Sequence, residues 1–144
     1  MKLTLQTRVN QDFKNVFRGF NRELFRKLAP PFPHMHVIRF DGCKTGDKVE
    51  VELKTGLTSH FWSSLITQQQ ENDYEIYFVD EGQVLPKPLK FWRHKHVIYQ
   101  NGKKTIISDQ VEYKTGSELL DYLILPLMYL NFLYRKPVYK KYFK

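Results

Sequence analysis

A histidine and an aspartate held side by side can store or pass a proton, and the stretch Phe91 to Tyr113, FWRHKHVIYQNGKKTIISDQVEY, is built to bring His94 and Asp109 together. Asn101-Gly102 lies between runs rich in Val, Ile, Thr and Tyr, which is a strong hairpin signal, because a tight primed turn needs positive φ at its central residues. With those two residues at the turn, Trp92 is expected opposite Val111, His94 opposite Asp109, His96 opposite Ile107 and Ile98 opposite Thr105. All of these share one face, while Arg93, Lys95, Ser108, Gln110 and Glu112 take the other. Burying the second set would be far costlier, so the His and Asp are expected on the inward, largely apolar face.

Three chemistries follow from such a pair. His94, Asp109 and Tyr113 can satisfy one another and specify strand register, they can meet a polar group of a ligand, or they can act as general acid and base. Catalysis of that kind needs a third partner or an activated water, and no Ser or Cys nucleophile is placed by the sequence. In an apolar wall the carboxylate is expected to favour the charged imidazolium. His94 with His96, and His34 with His36, have a spacing that could offer two imidazoles to one metal ion. No metal and no permanent cofactor is expected.

The positioning elements can be read along the chain. Residues 3–9 alternate as a first strand, and Asp12 is a candidate N-cap for a short helix carrying Phe13, Val16, Phe17 and Phe20. Gly19 and Asn21 suggest a break before a second helix with Leu24, Phe25 and Leu28, ended by Ala29-Pro30-Pro31-Phe32-Pro33. Six strand-like runs follow at 34–40, 48–54, 58–68, 74–80, 90–99 and 104–114, with loops short enough for an antiparallel meander. Ser117 is a candidate N-cap for a final helix over 117–134 that is apolar around most of its circumference. That run is shorter than the roughly 20 residues of a membrane span and contains Asp121, Pro126 and Asn131, so a helix held inside a curved sheet is expected, kinked or broken at Pro126.

The 144 residues are those of one domain, 1–144, without repeat, low-complexity segment or linker. Aromatic residues make up 15% of the chain, which suits both a core and the wall of an apolar cavity. The formal charge of +8 is spread over several elements and accompanied by no nucleic-acid motif, so it reads as solvated faces and no nucleic-acid partner is expected. Cys43 is the single cysteine, in a turn-like segment, and together with an N-terminus lacking a continuous apolar stretch it points to the cytoplasm.

The motifs resemble those of the START-like helix-grip superfamily, also called SRPBCC, in its small bacterial stand-alone ligand-binding branch. Asn21, Leu24, Leu28 and Pro30-Pro31 are similar to that branch's N-L-x-x-L-T-P-P element, with Ala29 in place of Thr, and Trp62-Ser63-Ser64-Leu65-Ile66 resembles its W-x-s-x-I strand. Phe78-Val79-Asp80-Glu81, followed by Pro88 to His96, resembles F-x-D-x-x-x-G-P-F-x-x-W-x-H-x-H, and Thr105 to Tyr113 resembles T-x-m-x-D-x-V-x-Y. The resemblance implies an α+β fold of order β-α-α-β6-α, a seven-stranded curved antiparallel sheet wrapped around a long C-terminal helix. It also implies a cavity between sheet and helix, and places the two His pairs on distant strands.

The expected function is non-catalytic binding of a small, mainly hydrophobic molecule, a lipid, sterol or polyketide-like compound, by a monomer or weak homodimer with no integral membrane segment. Trp62, Tyr74, Phe78, Trp92, His94, His96, Asp109 and Tyr113 are its candidate ligand-binding residues. The alternative is a polyketide cyclase or aromatase type of enzyme in which His94 and Asp109 transfer protons.

Overall fold

A computed structural model describes residues 1–144. Strand β1 (Lys2–Val9) leads to helices α1 (Phe13–Arg18) and α2 (Arg22–Lys27). Strands β2 (His34–Phe40), β3 (Lys48–Thr55), β4 (Thr58–Glu71), β5 (Glu75–Val84), β6 (Phe91–Asn101) and β7 (Lys104–Lys114) follow, then α3 (Glu118–Leu133) and α4 (Arg135–Tyr142). The strands form one antiparallel curled sheet in the order β1-β7-β6-β5-β4-β3-β2. The meander accounts for six of its strands, and β1 closes against β7.

Local chemistry sets the helix boundaries. The Asp12 carboxylate accepts from the backbone amides of Lys14 and Asn15, each at 3.1 Å, and the Asn21 side chain accepts from Leu24 N at 3.0 Å. Ser117 Oγ accepts from Leu120 N at 3.3 Å at the start of α3. These caps satisfy amide donors that have no partner within the first helical turn. In β1 the alternation is plain, with Leu3, Leu5, Thr7 and Val9 buried and the residues between them exposed.

Two apolar clusters fill the concave side. One joins Val9, Phe13, Val16 and Leu24 to Ile66, Ile76, Phe78, Ile98 and Ile107, and is completed by Tyr139 and Phe143. The other gathers Leu3, Leu5, Trp92, Val111, Tyr113 and Phe132, with Ile124, Leu125 and Met128 packed against it.

The C-terminus departs from expectation in three ways. The chain stays helical through Pro126 and the segments meet at Tyr134, which caps α3 at one end and α4 at the other, so the proline does not mark the break. Its ring removes one backbone donor, a loss the surrounding turns of α3 accommodate. Helix α4 is the second departure: its sequence is polar, yet Tyr139 and Phe143 bring the chain end into the larger cluster. Helix α3 is also less enclosed than its composition suggests. Asp121 and Phe132 are its buried residues, while Leu119, Tyr122, Leu123, Leu127 and Leu130 are exposed. No helix is long and apolar enough to cross a membrane.

Gly19 lets the two ends of the chain meet. A Cβ there would run into the ring of Phe143, which is itself buried among Phe20, Tyr139 and Tyr142. Gly19→Ala is therefore expected to lower stability by about 1–3 kcal/mol, the usual cost of overpacking a close-packed site. Urea denaturation checks this, and an unchanged midpoint would show that α4 shifts freely.

Candidate functional site

Strand β6 runs between β5 and β7 and presents Trp92, His94, His96 and Ile98 to the concave side. Trp92 belongs to the smaller apolar cluster and Ile98 to the larger. The two histidines therefore lie in a polar layer between the clusters.

The flanking strands contribute one carboxylate each. Asp80 on β5 is opposite His94, and Asp109 on β7 is opposite His96. The hydrogen bonds run along the diagonals instead: His94 Nε2 to Asp109 Oδ1 at 2.9 Å, and His96 Nε2 to Asp80 Oδ2 at 2.8 Å. Diagonal neighbours on adjacent strands lie within reach of long side chains. The imidazole rings are 3.6 Å apart, and His96 also stacks on Phe78 at 4.2 Å between centroids.

This geometry corrects the expected hairpin register. The turn uses Gly102 and Lys103, with Asn101 opposite Lys104 as the last pair of the ladder. Gly102 has φ of 64° and no other residue type takes positive φ, so only the first central position needs the left-handed region, as in a II′ turn. The pairing is thereby shifted by two residues: Trp92 opposes Tyr113, His94 opposes Val111 and Ile98 opposes Ile107. A shift of two preserves the faces, so His94 and Asp109 still meet.

Further partners hold the layer in place. Trp92 Nε1 donates to Asp80 Oδ1 at 3.1 Å, which turns Oδ2 toward the histidines. The Arg135 guanidinium approaches Asp109 Oδ1 at 3.5 Å, and the Tyr139 hydroxyl donates to the same oxygen at 3.4 Å. Helix α4 is thus tied to the sheet through Asp109.

The charge states follow from burial and neighbours. Burial is the largest influence on His94 and, with the nearby His96 ring, pushes it from 6.5 down to about 4, against the pull of Asp109 and Asp80. His94 is therefore neutral at neutral pH, contrary to the expected imidazolium, because the carboxylates do not recover the lost hydration of a charged ring. Burial alone would raise Asp109. The His94 hydrogen bond and Arg135 outweigh it and bring the group down to about 2. Asp80 is likewise lowered, burial being outweighed by His96 and His94. Burial and the Asp109 charge push the Tyr139 hydroxyl up.

A hollow of about 450 Å³ lies against this layer. Its walls come from α2 and the following proline-rich loop, from β2 to β6, from residues 86–89 and from the inner side of α3. Trp62, Phe78, Trp92, His94 and His96 line it, and Asp80 and Arg135 join them. Trp62 Nε1 donates to Ser64 Oγ at 2.9 Å, and its ring packs edge-on to Trp92 at 4.9 Å. Cys43 also lines the hollow. Burial, reinforced by Asp80 and Asp47, pushes its thiol up to about 12, so it serves as an apolar wall residue and not as a nucleophile.

Three candidate positions lie elsewhere. Tyr74 sits just before β5 and is 64% exposed, because the strand begins one residue later than its pattern suggests. Asp109 stands behind the histidines and not on the wall. Tyr113 is fully buried and its hydroxyl donates to the Asp121 carbonyl at 2.8 Å, which anchors the first turn of α3. Asp80 gained no chemical role from spacing, although Ile76, Phe78 and Asp80 share one face by their period of two.

No protein-family model and no curated protein matches the sequence. Solved structures do. The hypothetical protein jhp0584 from Helicobacter pylori superposes with a TM-score of 0.75 at 11% identity, covering 100% of this chain and 88% of that one. The structure of Ara h 8.0201 gives a TM-score of 0.61 at 11% identity, with 96% and 97% of the two chains covered. The chain has the START-like helix-grip fold. The di-domain ARO/CYC StfQ from the steffimycin biosynthetic pathway shares that fold, with a TM-score of 0.70 at 10% identity over 99% of this chain and 50% of that one. At such identities the likeness shows the architecture alone.

The neutral, buried His94 makes stability depend on pH. A ring whose folded value is about 4 against 6.5 unfolded contributes fully above about pH 6.5, and that contribution is lost as pH falls toward 4. Asp109, held at about 2 against 3.8, adds a second loss only below pH 4. Denaturation in EDTA-containing buffer should therefore show a drop in stability from pH 7 to pH 5 that is largely absent in His94→Gln. An equal drop in the variant would locate the titrating group elsewhere.

Proposed function

We propose that this chain binds one small, mainly apolar molecule in the hollow between the sheet and α3, as a non-catalytic carrier or receptor acting in the cytoplasm as a monomer or weak homodimer. The supporting observation is the hollow itself. Its volume of about 450 Å³ falls within the roughly 300–1,000 Å³ of small-molecule sites. Hydrophobic side chains supply most of its lining, and the polar atoms converge at Asp80, His94, His96 and Arg135. Apolar burial supplies affinity at roughly 25 cal/mol per Å², and the convergent polar groups set orientation. The ligand is thus a lipid-like, sterol-like or polyketide-like molecule with a polar group at one end.

A second reading is supported by the presence of histidine and carboxylate on the same wall and by the fold shared with the ARO/CYC StfQ. In it, His94 and Asp109 transfer protons on a bound polyketide-like substrate, with His94 on the wall and Asp109 behind it. The two readings separate on turnover: a carrier releases its ligand unchanged, whereas an enzyme loses turnover more than affinity in His94→Ala.

Native mass spectrometry of the protein purified from its own host is expected to show a co-purifying small molecule. Met128→Trp, which fills the hollow from α3, should weaken binding of that molecule about tenfold or more while leaving the fold intact by circular dichroism. Unchanged affinity in Met128→Trp would place the ligand outside the hollow. Steep loss of binding with added salt would favour an exposed basic face instead.

A further inference from the structure

The polar layer contains more lone pairs than protons. Asp109 Oδ1 accepts from His94 Nε2, which fixes the neutral ring's proton on Nε2 and leaves Nδ1 bare. That bare nitrogen faces Asp80 Oδ2 at 3.7 Å, acceptor against acceptor. His96 Nδ1 is a buried nitrogen without a hydrogen-bond partner, although the ring is only 7% exposed. Buried polar atoms in native proteins are nearly always satisfied, yet each of these nitrogens faces a carboxylate oxygen at 3.7 Å, His94 Nδ1 that of Asp80 and His96 Nδ1 that of Asp109, so the layer is short of cations. The two carboxylates and Arg135 sum to one negative charge, which a divalent ion would turn into one positive charge.

We infer that His94 Nδ1, His96 Nε2 and Asp80 Oδ2 form a binding site for a first-row divalent transition ion, with its remaining coordination positions open to the hollow. The three ligand atoms lie within 4.8 Å of one another. Asp80 Oδ2 stands 2.8 Å from His96 Nε2 and 3.7 Å from His94 Nδ1. Metal bonds of about 2.0–2.1 Å set neighbouring ligand atoms about 2.9–3.4 Å apart, so small side-chain adjustments complete the set. Two imidazoles and one carboxylate with open positions suit Zn²⁺ and Fe²⁺, whereas Ca²⁺ and Mg²⁺ prefer all-oxygen sets.

The surrounding contacts are those a metal site requires. His94 donates its other nitrogen to a carboxylate, which orients the ring and raises its basicity as a ligand. When Nε2 of His96 binds the ion, its proton moves to Nδ1. The new N–H faces Asp109 Oδ1 at 3.7 Å, so one carboxylate supports both histidines. Trp92 holds Asp80 through its other oxygen. Asp80, His94 and His96 are on the wall of the hollow, which leaves the open positions to water or to an oxygen donor on an apolar ligand. The site stands whatever molecule the hollow takes.

The test uses the full chain, stripped with EDTA and titrated calorimetrically with Zn²⁺ alone. One equivalent is expected to bind, with affinity lowered at least about tenfold in Asp80→Asn and in His96→Gln, about 10–100-fold in Asp109→Asn, and unchanged in His36→Gln. Cobalt substitution covers the case in which a variant does not fold: in the wild-type chain, Co²⁺ should shift the ring resonances of His94 and His96. Absence of stoichiometric binding, affinity unchanged in Asp80→Asn, or shifts confined to the exposed His34 and His36 would each overturn the site.

Discussion

A carboxylate in a protein interior must be neutralised where it stands, and Asp109 is such a group, with 3% of its side chain exposed. Its partners come from different parts of the chain. His94 is on β6, while Arg135 and Tyr139 are on α4. Removing water from Asp109 therefore requires that the sheet and the C-terminal helix be assembled together. This is a requirement of assembly more than a source of stability, because a buried ion pair often does no better than a well-packed apolar replacement. It explains why a polar segment carrying Lys140 and Lys141 nevertheless docks into the core: Tyr139 and Phe143 pack while Arg135 meets the charge.

The polar layer also shapes the hollow. Apolar side chains above and below it close into two separate clusters, with Trp92 at the edge of one and Ile98 in the other. Between them the histidines and Asp80 find their partners within the layer, in Asp109, Trp92 and one another, and the hollow lies in front of them. Helix α3 encloses this space only in part. It is anchored near its start, where Tyr113 and Thr115 bond Asp121, and near its end, where Phe132 packs against His94 and Arg135. Its outer face remains exposed and apolar.

Much of this arrangement could be read from residue order. Alternating burial, the side-chain caps at Asp12, Asn21 and Ser117, and the shared face of His94 and Asp109 depend on neighbours a few residues away or on parity, both visible in sequence. What escaped depends on contacts between distant segments. The Asn101-Gly102 signal was ambiguous because Gly102 can serve as either central residue of a two-residue turn, and ladder ends decide which. Asp80 faces inward by the parity of Ile76 and Phe78, but its meeting with His96 depends on how the long connection from β5 to β6 sets the register. The burial of Tyr139 and Phe143 had no local sign, since it follows from the fit of Phe143 against Gly19.

The regular pairing of β6 with β7 has a consequence for how this fold can vary in length. The ladder runs from Phe91 opposite Lys114 to Asn101 opposite Lys104 without a bulge, whereas β4 and β5 contain two irregularities. A residue inserted in β6 between Trp92 and His94 would invert every side chain on one side of the insertion, turning either Trp92 or the histidines out of the concave face. Changes of even length leave inside and outside as they were. This hairpin can lengthen or shorten by whole pleats only, while β4 and β5 can absorb single residues in their bulges.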